Sequence, residues 1–471
     1  MSLQQMDALI ASWRDEILGK LRSWVAIDSV QAEQSAGNAP FGDNVRRMLD
    51  LFLRDAAALG FATDDVDGYA GSAEMGAGDQ VMGILAHLDI VPAGDGWEHD
   101  PFGGEIEGGR LYGRGTQDDK GPALAALYAM RAVREAGIPL KHAVRLIVGC
   151  DEETGMSDMR HYAAVRKMPD YGFSPDAEYP LINIEKGGLA LRLSKLTGGE
   201  ANAALPVYSL CAGVRQNVVP GLATCELGLG EHSFEEIERR VRSIAAAHER
   251  FDLKLEILSG GRAKLTSTGI QTHAAMPYTG FNAAGALLIA LDELGAGGGS
   301  RGAIEALAKT LGVAYDGEGL GIRQSDELSG ALTCNLGLLR YDGNELWAQL
   351  DIRYPISADE VQMCGAAVMA LSPYKVSVTR TGGHVPLHVP EDHPVVQGLL
   401  RVYHEQTGLP AYAMAIGGGT YSRMMPNTVA FGTLFPGDEE RCHMPDEYVD
   451  IEKYMLSIRI MAHAIAHLAG K

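Results

Sequence analysis

Two histidines and a set of carboxylates, spread over most of a 471-residue chain, are the residues whose types and spacing could do chemistry. Ala86-His87-Leu88-Asp89 ends an apolar run, and alternate residues of a strand share a face, so His87 and Asp89 emerge together. A carboxylate beside a histidine is the usual support of a metal-bound imidazole. Taken alone, the pair is equally a structural histidine with a satisfied partner. Gly113-Arg114-Gly115-Thr116-Gln117-Asp118-Asp119-Lys120-Gly121 sets two adjacent acids before a helix, where acids also serve as caps and dipole partners. Cys150-Asp151-Glu152-Glu153-Thr154-Gly155 follows a strand directly. Three consecutive acids repel one another, a cost that a cation relieves. Two neighbouring glutamates can divide two tasks, one holding a metal and one taking a proton from water. A solvated helix start is the plainer account of the same acids. Ser174-Pro175-Asp176-Ala177-Glu178-Tyr179-Pro180 and Arg441-Cys442-His443-Met444-Pro445 complete the set. Together the five clusters offer the ligand chemistry of zinc, manganese or cobalt in a bridged pair.

Loops so far apart in sequence need a frame that gathers them. Val81–Val91 is a near-continuous apolar run, as expected of a parallel strand buried on both faces. Residues 121–135 carry small and apolar residues at helical spacing, and 143–150 read as a strand again. This rhythm predicts an α/β domain whose largely parallel sheet is flanked by helices, with its ligands at the carboxyl ends of the strands. The last ninety or so residues repeat the style, with a helix near 394–406, strands near 412–416 and 429–435, and a closing helix from Ile451. The middle mixes alternating strands such as 346–353 with helices such as 233–248 and 283–293, and the glycine run 295–302 reads as a flexible loop. The expected division is therefore a catalytic domain in two parts, 1–186 and 383–471, with an inserted α+β domain at 187–382.

Composition narrows the class. A 46% hydrophobic content fits a globular chain, and a formal net charge of -21 argues against nucleic acid and anionic membrane partners, which demand basic patches. Residues 1–25 have helical spacing interrupted by Asp7, Asp15 and Glu16, unlike a signal peptide, and no stretch approaches a membrane span. Six cysteines without a Cys-x-x-Cys pair read as thiols of a reducing compartment, and a cytoplasmic location is expected.

The succession of these clusters resembles the co-catalytic metallopeptidase superfamily, which includes aminoacylases and carboxypeptidases. Trp97-Glu98-His99-Asp100-Pro101-Phe102, Asp176-Ala177-Glu178-Tyr179-Pro180 and Gly417-Gly418-Gly419-Thr420-Tyr421 resemble its peptidase V and Sapep-type dipeptidases more closely. The resemblance implies two divalent ions, Zn2+ or Mn2+ with Co2+ an in vitro substitute. One would sit on His87 and Asp176, the other on Glu153 and His443, with Asp118 shared between them. It implies that Asp89 orients His87, that Glu152 is the general base, and that a cis peptide joins Asp118 and Asp119. The inserted domain becomes a lid, in which His273 stabilises the oxyanion and Asn217 helps place the peptide. Arg353 grips the substrate carboxylate, with the backbone of Gly418, Gly419 and Thr420 beside it. The implied activity is hydrolysis of dipeptides with a free N-terminus by a monomer whose lid imitates a dimer partner. An N-acyl-amino-acid deacylase or carboxypeptidase of the same superfamily is the alternative, and a non-enzymatic peptide-binding protein a further one. His463 and His467, four apart on the closing helix, lack an accompanying acid and read as a solvated face. His384 and His388 are given no role, and Cys442 is read as packing.

Overall fold

The computed structural model describes residues 3–197 and 203–471. Contacts divide the chain into two compact units, one of 1–184, 387–414 and 419–471, the other of 185–386 and 415–418.

The sheet of the first unit is centred on three parallel strands, Ala143–Gly149, Val81–His87 and Tyr171–Ser174, in that spatial order. Ala62–Val66 and Ala70–Met75 add an antiparallel flank on one side. Thr428–Ala430 joins in parallel on the other. Six of the seven residues of Val81–His87 are buried, which is why an unbroken apolar run was required there. The Lys120–Glu135 helix is buried almost all round. Its alanines (123, 125, 126, 129 and 132) let neighbours approach closely, and the closing helix Ile451–Ala469 packs there, with Tyr454 donating to the Gly121 carbonyl at 2.8 Å. Each large apolar side chain buried here is worth about 1.5–3 kcal/mol. The edge strand Ala62–Val66 carries Asp64 and Asp65, paired with Arg166 and Arg46, and a charged edge discourages further strand addition.

The second unit is built on an antiparallel sheet ordered Asp252–Leu258, Arg262–Thr268, Leu222–Gly228, Val207–Ala212, Thr333–Tyr341, Glu345–Tyr354, Gly187–Leu196 and Ser377–His384. The helices Phe234–Ala247, Ala283–Leu294 and Arg301–Thr310 bury their apolar residues in one core with it.

Several local expectations need correction. The N-terminal helix is two, Leu3–Ser12 and Arg14–Val25, and residues 1–2 lie outside the described residues. The glycine run is an ordered connection rather than a flexible loop. Gly295 (φ 71°) ends one helix in the left-handed conformation, and Gly298–Ser300 form a 3-10 turn into the next. Between them the Gly297 N–H donates to the Leu205 carbonyl at 2.9 Å. The late strands shrink to Met414–Ile416 and Thr428–Ala430, because the chain beyond Phe431 turns against residue 177: a side chain at Gly432 would overlap the Ala177 carbonyl.

Candidate active site

Parallel pairing brings the site together. Val81–His87 and Ala143–Gly149 end opposite each other, His87 against Gly149, and Tyr171–Ser174 ends on their other side. The residues that leave these ends are His87 itself, the 150–156 loop and Asp176. Two loops complete the cluster, Gly113–Asp119 and the one carrying His443.

Asp118 lies at the centre. Its Oδ1 is 2.9 Å from His87 Nε2, and its Oδ2 is 2.9 Å from His443 Nε2. Asp176 Oδ2 stands 3.6 Å from His87 Nε2, and Glu153 Oε1 3.1 Å from His443 Nε2. One carboxylate thus presents one oxygen to each of two histidine–carboxylate pairs. His87, Asp118 and Glu153 each offer a ligand atom, all within 4.8 Å of one another. His87 Nε2 is buried with no partner in hydrogen-bonding geometry, although carboxylate oxygens surround it. An imidazole nitrogen walled in by acceptors fits a cation placed among them.

Charge states agree. Burial lowers the tendency of His87 to protonate, yet Asp118, Asp176 and Asp89 overcome it and raise its pKa well above the ordinary value. His443, opposed by burial but facing Asp118 and Glu153, rises to about 11. Burial alone would raise Asp118, but the His443 and His87 imidazoles beside it hold it far below the carboxylate range. Glu153 is pushed up to about 7 by burial and then by Asp118. Glu152 is raised well above its usual value by burial first, with Asp176 and Glu153 adding to it against His87. A cluster that keeps positive charge on its imidazoles at this cost to its carboxylates is suited to cations.

Asp89 stands beside His87 and serves the acidic loop as well. His87 Nδ1 is 3.0 Å from the backbone oxygen of Asp89 and 3.6 Å from its carboxylate. That carboxylate also accepts the N–H groups of Glu152 and Glu153, both at 3.2 Å. Asp151 takes no place beside the histidines; it accepts from Gln31 and from the Ser157 amide. Asp119, joined to Asp118 by a cis peptide, accepts the His87 N–H at 2.8 Å. Three residues escaped the sequence reading. Glu447, fully buried, accepts the N–H groups of Gly115, Gln117 and Asp118 at 2.8–3.2 Å and holds Arg114 at 2.6 Å. Asp158 accepts the N–H groups of Cys150 and Asp151 and the Tyr421 hydroxyl. Gln31 reaches the acidic loop from the N-terminal segment. The signal for Glu447, an acid four residues after His443, was present but indistinguishable from a surface glutamate.

Trp97–Phe102 braces the His443 loop. Asp446 accepts the N–H groups of Glu98 and His99 and faces His99 Nδ1, each at 3.0 Å, while the His99 ring stacks on Tyr112 at 3.7 Å. Gln117 joins that loop too, accepting from the Arg441 N–H at 2.8 Å, with Cys442 Sγ at 3.7 Å. His463 is not on a solvated face: it pairs with Asp7 at 2.8 Å and with Gln406, its side chain only 10% exposed.

The second unit gathers its own candidates on a polar patch of two paired strands, where Thr333 faces Arg353 and Asn335 faces Asp351. Asn335 Nδ2 donates to the carbonyls of Gln216 and Val218, on either side of Asn217, at 3.2 Å each. Asn217 in turn accepts the Ala274 N–H, and Val218 pairs with His273. His273 Nδ1 accepts the Ala275 N–H at 3.2 Å, so in the neutral ring Nε2 carries the proton and is the donor. Arg353 is forked onto Asp351 at 2.6 and 3.0 Å and reaches the Gly417 carbonyl at 3.3 Å. Gly418 belongs to this unit; Gly419 and Thr420 belong to the first, where the Thr420 hydroxyl accepts the Ser422 N–H as a helix cap. Arg423 stands where a side chain on Gly419 would point, which explains that glycine.

The chain is similar to known proteins along nearly all of its length. The YtjP protein of Bacillus subtilis is 36% identical over 97% of this chain and 98% of its own length. A protein of Lactobacillus delbrueckii subsp. lactis named Beta-Ala-Xaa dipeptidase is 35% identical over 97% and 96%. Among solved structures, human carnosine dipeptidase 1 shares the fold with a TM-score of 0.58 at 17% identity, covering 100% of this chain and 99% of that one. The aminoacylhistidine dipeptidase of Vibrio alginolyticus gives 0.58 at 17%, covering 97% of each. The profile of peptidase family M20/M25/M40 matches residues 83–467. This chain belongs to peptidase family M20/M25/M40.

Proposed function

We propose that this protein is a metal-dependent dipeptidase that holds two divalent ions, Zn2+ or Mn2+, and cleaves dipeptides with a free N-terminus. The observation that carries the reading is Asp118, with one oxygen 2.9 Å from His87 and the other 2.9 Å from His443. His87 and Asp176 would hold one ion, Glu153 and His443 the other, with Asp118 common to both. Ions held there would supply Lewis-acid chemistry, which lowers the pKa of a bound water and polarises a carbonyl.

The chain's own residues supply the rest. Asp89 fixes the backbone of Glu152, whose carboxyl takes the proton from the attacking water and returns it to the departing amine. A carboxylate whose pKa is raised by burial is a stronger proton acceptor than an ordinary one, which suits it to the first transfer. His273 donates Nε2–H to the oxyanion, a role that the Ala275–Nδ1 bond favours. Asn217 places the peptide, and Arg353 with the backbone of Gly418, Gly419 and Thr420 receives the C-terminal carboxylate. Because Asp351 already occupies two Arg353 nitrogens, the guanidinium meets that carboxylate through its remaining edge. The reading includes a monomer in the cytoplasm. No helix of the described residues is long and apolar enough to cross a membrane.

The test is hydrolysis of a small dipeptide panel by metal-stripped protein with zinc, manganese or cobalt added back. Metal-restored cleavage of dipeptides, absent for tripeptides and N-acetylated amino acids, is expected. Restoration with only the acylated compounds would make the protein a deacylase. Two bound ions with no turnover of any compound would make it a peptide-binding protein.

A further inference from the structure

The segment 27–31 precedes residue 83, where the family match begins, yet it touches the helix start after Asp118, the chain that leaves His87 and the 150–156 loop. Lys120, two residues past Asp118 and fully buried, donates from Nζ to the Ile27 carbonyl at 2.6 Å. Ser29 Oγ donates to the Leu88 carbonyl at 2.6 Å, the Ile90 N–H donates to the Ser29 carbonyl at 3.3 Å, and Val30 pairs in parallel with Ile90. The segment is thereby fastened along the chain that leaves His87.

Gln31 is its tip. Nε2 lies 2.8 Å from the Cys150 carbonyl, 2.8 Å from Asp151 Oδ1 and 3.2 Å from Asp89 Oδ2. Oε1 accepts from the Thr154 hydroxyl at 2.7 Å. One amide thus spans the acidic loop from residue 150 to residue 154 and ties it to Asp89. Asp89 is the carboxylate that receives the N–H groups of Glu152 and Glu153. Two like-charged carboxylates, Asp89 and Asp151, share the Gln31 NH2 group. Take that group away and Asp89 Oδ2 is left with the Glu153 N–H, and Asp151 Oδ1 with the Thr154 hydroxyl. A side chain that only filled space at this position would need no polar end, whereas here both atoms of the amide are engaged, the nitrogen by three acceptors and the oxygen by a hydroxyl.

From this we infer that Gln31 is a positioning residue for the proposed base and one proposed metal ligand: it fixes the loop that carries Glu152 and Glu153. The inference rests on the assignment of those two glutamates made above. It assigns a function to a part of the chain outside the family match.

Gln31→Met keeps length and volume and removes the amide; Gln31→Ala serves as a second variant should the first fold poorly. Each is compared with the unsubstituted protein by zinc titration calorimetry of metal-stripped protein, by kcat and KM for a dipeptide, and by melting temperature without metal. Loss of a group that orients metal ligands costs about ten- to hundredfold in metal affinity or activity, and a drop of that size is expected both in kcat and in the affinity of one of the two ions. KM is expected to stay near that of the unsubstituted protein, while the metal-free melting temperature falls modestly for the lost hydrogen bonds. Unchanged zinc affinities and kcat would overturn the inference. So would a lowered melting temperature with both ions weakened alike, the mark of a merely structural residue. Should the unsubstituted protein bind two zinc ions and cleave no dipeptide, the functional reading fails while the zinc titration still decides the place of Gln31.

Discussion

At the scale of single residues, the site separates holding ions from using them. Asp118 divides its oxygens between His87 and His443, whereas Glu152 stands outside both pairs. Asp118→Asn should therefore leave the protein with less than one zinc per chain after dialysis, measured by atomic emission. Glu152→Gln should retain two and lose about 10²–10⁴-fold in kcat, the usual worth of a general base. Equal zinc content in the two variants would refute the division. A second prediction concerns His99, whose pKa is raised, first by its bond to Asp446. Asp446 is lowered in turn: burial opposes this, and the His99 N–H and ring overcome it. A histidine raised on folding stabilises most below its unfolded pKa of about 6.5, and that contribution is lost as pH rises through the folded value. The aspartate's part is lost only as pH falls below about 4. Asp446→Asn should accordingly lower the melting temperature at about pH 5.5 and lower it less at about pH 9. A deficit that is the same at both pH values would show that the ion pair is not involved. The metal-ligand candidates were legible because few residue types bind cations and their neighbours repeat a known order. Gln31, Glu447 and Asn335 were not, because an amide or a lone acid gains its meaning only from partners fifty to more than three hundred positions away.

At the scale of elements, periodicity served well where burial is complete and poorly where the chain bends. The Lys120–Glu135 helix follows from its apolar pattern almost to the residue, whereas the strand read at Val81–Val91 begins as expected and ends early, at His87. The 295–302 glycines were misread because glycine permits a flexible loop and a left-handed cap alike, and only the Leu205 carbonyl selects the second. The polar patch on Thr333–Tyr341 and Glu345–Tyr354 was also hidden, since Asn335 looks like any strand polar residue until Gln216 and Val218 lie against it. Asn335→Asp removes both donors while keeping an acceptor for Asn282. If Asn335 acts by aiming Asn217, its substitution should lower kcat/KM in the unsubstituted protein and cost little more once Asn217 is alanine. The expected coupling is about 0.5–3 kcal/mol, the range of residues that share partners. Additive losses would separate the two residues.

At the scale of the molecule, the α/β frame and the antiparallel second sheet were both legible, because a βαβ rhythm and an alternating texture are global properties that single errors do not disturb. What composition could not supply was the frame's clamp. The first unit is assembled from segments at both ends of the chain, and Glu447 fastens the Gly113–Asp118 loop to the segment that carries His443. That connection bears on the order in which the protein is made. His87, Asp118, Glu153 and Asp176 are all synthesised before any of residues 185–386, while His443 and Glu447 come after them. On the proposed ligand assignment, an unfinished chain offers one ion two ligands and the shared aspartate, and leaves the other ion without its histidine. Hydrolytic competence is then withheld from a growing chain until residues 443–447 have left the ribosome, and a fragment released before them would bind metal weakly and cleave nothing.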